Sequence, residues 1–126
     1  MFDDVACALP SLCRAEKIQK RAARVGFDWS GVDGVYDKLE EEIAELLEAS
    51  GDSERELEEF GDLLFTTVGL ARHLGIDSER ALRLATLKFE TRMQRVIEEA
   101  DARTIELSGA PDSVKSELWM HAKRPK

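Results

Sequence analysis

The sequence predicts an all-α protein, a helical bundle of about four main helices completed by dimerisation. Three observations carry this expectation. Apolar residues recur at helical spacing in four separate segments, and helix-stop and helix-start residues fall between those segments. No segment reads convincingly as a strand. At 126 residues and 43% apolar composition, the chain can bury a core as a single domain spanning 1–126.

The first helix is expected from about Ser11 to Val25, with Leu12, Ala15, Ile18, Ala22 and Val25 on one side. Gly26 follows as its stop. The loop FDWSGVDG leads to a second helix over roughly Val35 to Ala49, with Asp33 as its cap. After the short turn SGD, Ser53 and Glu56 have the spacing of a capping box for a third helix reaching about Leu74. Gly75 ends it, and Asp77 or Ser78 starts a fourth helix to about Ala102. Residues 108–113 (SGAPDS) read as a loop, and Val114 to Met120 as one more short helix. The third helix carries Leu57, Phe60, Leu64 and Val68 on one face and Leu63, Thr66 and Leu70 on another. A helix apolar on most sides is usually buried on most sides, and a partner subunit is the natural cover, so a homodimer is expected.

Net charge is −8, which argues against a nucleic-acid polymer as partner, because phosphate backbones need a basic surface. Cys7 and Cys13 lack CxxC spacing, so neither a zinc site nor a disulfide framework is expected, and a reducing cytoplasm is the natural compartment. The acidic opening MFDDVACALP does not read as a signal peptide, and no apolar stretch is long enough to span a bilayer.

One feature departs from ordinary patterning. Along the second helix, through KLEEEIAELLE (38–48), the stripe of Val35, Leu39, Leu46 and Ala49 has Glu42 where a leucine belongs. Glu45 lies three residues on, and Glu59 and Asp62 repeat that spacing on the third helix. The short turn makes the two helices antiparallel. At about 1.5 Å per residue, Glu42 and Glu45 lie roughly 9–14 Å from the turn, and Glu59 and Asp62 roughly 12–17 Å. Four carboxylates converge at similar height, and such like charges repel unless a cation compensates them. An oxygen-only set suits Mg²⁺ or Mn²⁺, and the Glu-x-x-His pattern of di-iron bundles is absent. With 26 acidic residues such spacings also arise by chance, and by spacing alone Glu40, Glu41, Glu48, Glu54 and Glu58 read as solvated faces.

Lys88, Arg92 and Arg95 line one side of the fourth helix, and Lys17, Arg21 and Arg24 one side of the first. They are either a salt-bridged surface, the preferred reading for Arg24 and Arg95, or partners for phosphates. Phe27, Trp29 and Trp119 are either packing anchors, the preferred reading from their positions alone, or a flat surface for a base.

Taken together, LPSLCRAEKIQKRAARVGFDW, KLEEEIAELLE, ELEEFGDLLFTTVGLARHLG and LKFETRM resemble the MazG family of nucleoside triphosphate pyrophosphohydrolases, over about Leu9 to Arg124. The resemblance is to the C-terminal domain of bacterial MazG proteins that carry two such domains. It implies an all-α, dimeric, Mg²⁺-dependent enzyme that cuts nucleoside triphosphates to monophosphate and pyrophosphate. Glu42, Glu45, Glu59 and Asp62 match the family's metal ligands, and Glu41 matches a position implicated as the base that activates water. Lys88 and Trp119 match positions tied to phosphate and base contact, and Lys38 sits at the family's lysine ahead of EExxE. Arg92 and Lys17 join the expected phosphate contacts, and Trp29 the expected base contacts. Family members often have Asn where this chain has Thr86, a difference that bears on affinity or selectivity. Two rival expectations stand beside this one: an acidic helical interaction module without turnover, in which Glu42 sets helix register, and a narrower pyrophosphatase for dCTP or dUTP.

Overall fold

The computed structural model describes residues 1–124. The chain is helical throughout, with α1 (Ser11–Arg24), α2 (Val32–Glu48), α3 (Ser53–His73), α4 (Ser78–Ala102) and α5 (Asp112–Lys123), and a 3₁₀ turn at Leu107–Gly109 before α5. No strand occurs among the described residues. The all-α class is therefore the one the sequence predicts.

Helix ends follow local chemistry. Gly26 (φ +87°) and Gly75 (φ +72°) adopt the left-handed conformation that lets the chain turn back over a helix end. The amides of Phe27 and Ile76 then donate to Ala22 O (3.0 Å) and Ala71 O (2.8 Å), satisfying carbonyls the helices leave free. Two starts differ from expectation. Helix α2 begins at Val32, and Asp33 lies in its first turn, where a carboxylate meets the positive end of the helix dipole. Helix α3 is capped by Asp52, not Ser53, because the Asp52 side chain accepts from the amide of Arg55 (3.3 Å). Asp77 caps α4 in the same way, through the amide of Arg80 (3.2 Å). The last helix is longer than Val114–Met120, as its start at Asp112 follows directly on Pro111.

The chain divides into two compact units, Met1–Ala81 and the remainder from Leu82. In the first unit, α2 and α3 lie side by side across the turn at Gly51, and α1 packs on α3. Val35, Ala49 and Val68 are almost wholly buried there. Glycine at position 69 lets Trp29 lie directly on α3, since an added Cβ would sit 2.6 Å from the indole Cζ3. In the second unit Val96 and Ala100 of α4 pack with Leu118 and Ala122 of α5, and Leu118 is fully buried. Of the apolar residues on α3, Val68 is buried while Leu57, Phe60 and Leu64 are exposed in the single chain.

Candidate active site

The site is built by α2 and α3. Helical spacing puts Lys38, Glu42 and Glu45 on one face of α2, and antiparallel packing brings Glu59 of α3 opposite them. One carboxylate oxygen from each of Glu42, Glu45 and Glu59 lies within 4.8 Å of the other two. Glu42 is 3% exposed. Its Oε2 and the Oε2 of Glu59 are buried without a hydrogen-bond partner among the described residues. Buried charge of this kind is costly unless something positive compensates it.

Part of that compensation is Lys38, whose Nζ lies 3.1 Å from Glu42 Oε1 and 3.3 Å from Glu41 Oε2. Hydrogen bonding to Glu42 and then Glu41 raises the lysine pKa above its usual value, so the ammonium is retained. The opposite pressure acts on Glu59. A hydrogen bond with Glu45, burial, and the charges of Glu45, Asp62 and Glu42 all push its carboxyl pKa up. Three converging carboxylates, two orphaned oxygens and a carboxyl driven toward protonation fit a cluster that could hold a metal ion.

The other predicted residues fall in several places. Asp62 is exposed and outside the group of three, although its charge still acts on Glu59. Glu41 is exposed beside the cluster, held by Lys38. Lys17 is exposed on α1, while Arg21 of the same stripe is paired with Asp4. Trp29 is packed against α3 at Gly69, edge-on to the ring of His73 at 6.1 Å. In the second unit Lys88 is exposed, and the rings of Trp119 and Phe89 lie 5.7 Å apart. Arg92 and Lys123 stand 5.8 and 5.9 Å from the Trp119 ring centre, within cation–π range. Trp119 also lines a groove with Met93, Leu107 and Met120. The hydroxyl of Thr86 donates to Leu82 O of its own helix (2.9 Å).

A polar knot that the sequence reading missed ties the loop after α1 to the end of α3. The Arg72 guanidinium grips Asp28 through Nη1–Oδ2 (2.8 Å) and Nη2–Oδ1 (2.6 Å), and His73 Nε2 lies 3.1 Å from the same Oδ1. Buried Gln19 accepts from Arg72 Nε (3.3 Å) and donates to Phe65 O (2.8 Å). Its signal was faint: Gln19 lies four residues after Ala15 and three before Ala22, on their side of the helix, but Ile18 fills the apolar stripe at that turn, so no gap marks it. The guanidinium of Arg72 holds the Asp28 carboxyl well below the usual carboxylate range. A depressed folded-state pKa contributes stability in full above the unfolded pKa, near 4, and loses it as pH falls toward the folded value. Asp28→Asn should therefore cost roughly 1–2 kcal/mol at pH 7, discounted for partial solvation. The gap to wild type should narrow as pH drops below about 4, as read by urea unfolding at several pH values.

The comparisons with known proteins meet this geometry. Residues 15–89 match the family model described as phosphoribosyl-ATP pyrophosphohydrolase. The matched segment contains the whole carboxylate cluster and Lys38. The chain belongs to the phosphoribosyl-ATP pyrophosphohydrolase and MazG-like family. A nucleoside triphosphate pyrophosphohydrolase of Escherichia coli K12 is 47% identical over 127 residues, covering 98% of this chain and 48% of that protein. The nucleoside triphosphate pyrophosphohydrolase/pyrophosphatase MazG of Thermotoga maritima is 46% identical over 115 residues, covering 91% of this chain and 45% of its own length. This MazG-like chain thus spans about half the length of these relatives. No helix among the described residues is long and apolar enough to cross a membrane.

Proposed function

We propose that this MazG-like chain is a single catalytic domain that hydrolyses nucleoside triphosphates, with Mg²⁺ or in its place Mn²⁺, to nucleoside monophosphate and pyrophosphate. The observation that carries this reading is the convergence of Glu42, Glu45 and Glu59 with two buried, unpartnered oxygens, inside the family match. The names of the relatives support the substrate class.

The donor set is all oxygen, as a hard divalent cation requires. Glu42, Glu45, Glu59 and Asp62 would hold the ion, the last from an exposed position. When bound, the ion neutralises charge on the triphosphate oxygens. The chain's own residues do the rest. Glu41 is exposed and anchored by Lys38, and it takes a proton from a water molecule. The water oxygen attacks the α-phosphorus as the P–O bond to the β-phosphate breaks, and pyrophosphate leaves with the bonding electrons. Lys38, Lys88, Arg92 and Lys17 are assigned to phosphate oxygens, and Trp119 and Trp29 to the base. Arg92 and Lys123 against Trp119 give that ring a cationic border suited to a nucleotide.

A homodimer is part of the proposal, because Leu57, Phe60 and Leu64 form an uncovered apolar face on α3. A cytoplasmic setting fits the free thiols of Cys7 and Cys13. The test is a panel of canonical NTPs and dNTPs with Mg²⁺, assayed for products. Equal amounts of monophosphate and pyrophosphate, abolished by EDTA, are expected. Turnover of dCTP or dUTP alone would narrow the substrate, and no turnover with any of them would sink the reading in favour of an interaction module.

A further inference from the structure

The ammonium of Lys38 sits where a cation is needed, but it does not complete the site. Lys38 precedes Glu41 and Glu42 by three and four residues on α2, so all three side chains share one helix face. Its contact with Glu42 Oε1, at 3.1 Å, is to a carboxylate only 5% exposed. One positive charge faces three clustered carboxylates, and Glu42 Oε2 and Glu59 Oε2 remain without a partner. The lysine itself is 39% exposed, so its flexible stem has solvent to move into.

We propose that Lys38 is the resident counter-cation of the carboxylate cluster, and that a divalent ion enters by displacing its ammonium from Glu42. The inference rests on the metal reading above. A divalent ion on Glu42 competes with the ammonium for the oxygen's lone pairs and repels it at close range in a partly buried site. Each ion that binds must therefore break the Lys38–Glu42 pair, and metal affinity is set below what the carboxylates alone would give. The lysine keeps buried Glu42 compensated when no divalent ion is present, which a neutral side chain at position 38 could not do.

The experiment is a Mn²⁺ titration without nucleotide, with free Mn²⁺ read by electron paramagnetic resonance. Wild type, Lys38→Met, Lys38→Gln and Lys38→Arg are compared. Both neutral variants should bind Mn²⁺ about tenfold more tightly than wild type, a difference of about 1.4 kcal/mol. Lys38→Arg, which keeps the charge, should remain near wild type. The metal-free melting temperature should fall in the neutral variants, and Mn²⁺ should raise it by more than in wild type. Binding by wild type with equal or weaker affinity in both neutral variants would overturn the exchange and leave the metal reading standing. Absence of Mn²⁺ binding in all four proteins would overturn both.

Discussion

Glu42→Gln is expected to lower Mg²⁺-dependent pyrophosphate release by about three orders of magnitude. The amide is nearly isosteric, so packing of the buried position is kept while its negative charge is lost. The –NH₂ group also brings donors to a spot that needs acceptors for a cation. A divalent ion is worth several kcal/mol of charge stabilisation in the transition state, and about 4 kcal/mol corresponds to about a thousandfold in rate. The same substitution should leave the metal-free fold intact or stabilise it, because a 3%-exposed carboxylate among like charges is removed. A coupled pyrophosphate assay beside a thermal melt separates these effects. Release that survives in Glu42→Gln would sink the ligand assignment, and a collapsed melting temperature would point to a packing role instead.

Leu118→Ala is expected to destabilise the second unit by about 2–5 kcal/mol. Leu118 is fully buried between Val96, Ala100 and Ala122, which are too small to close the gap a lost isobutyl group would leave. Among the described residues of this unit no other large side chain is fully buried, and Met93, Ile105, Leu107, Val114 and Trp119 pack around the cluster only partly buried. The neighbouring Trp119 reports the transition directly. Urea unfolding followed by Trp119 fluorescence, in a Trp29→Phe background that silences the other indole, should show the midpoint move down. An unchanged midpoint would mean that this core contributes little to holding α5 against α4.

Glu42 shows how far a one-dimensional pattern reaches. A carboxylate at a stripe position is legible because helical periodicity tells which side of α2 it occupies, and the short turn tells which helix faces it. The rise per residue alone put Glu42, Glu45, Glu59 and Asp62 at one height. The structure brings three of them within 4.8 Å and leaves Asp62 exposed. Helical spacing gives Glu59 and Asp62 the same three-residue step as Glu42 and Glu45, so it is the exposure of the Asp62 side chain, not its register, that sets it apart, and its charge still acts on Glu59. Trp29 shows the opposite limit. Its loop has no periodicity to read, and its place against Gly69 and His73 depends on how α3 passes beneath it.

The sequence by itself determined the helices, the glycine stops at positions 26 and 75, the antiparallel α2–α3 hairpin and four carboxylates, Asp62 among them, at similar height. These follow from periods and turn chemistry that act within a few residues. Only the tertiary structure decided which carboxylate oxygens are orphaned, that Lys38 bridges Glu41 and Glu42, and that Arg72 and Gln19 knot the loop to α3. Burial and partnership depend on the neighbouring helix or on the rotamer chosen in its presence. A pattern along one helix can say which way a side chain points, but not what it meets there.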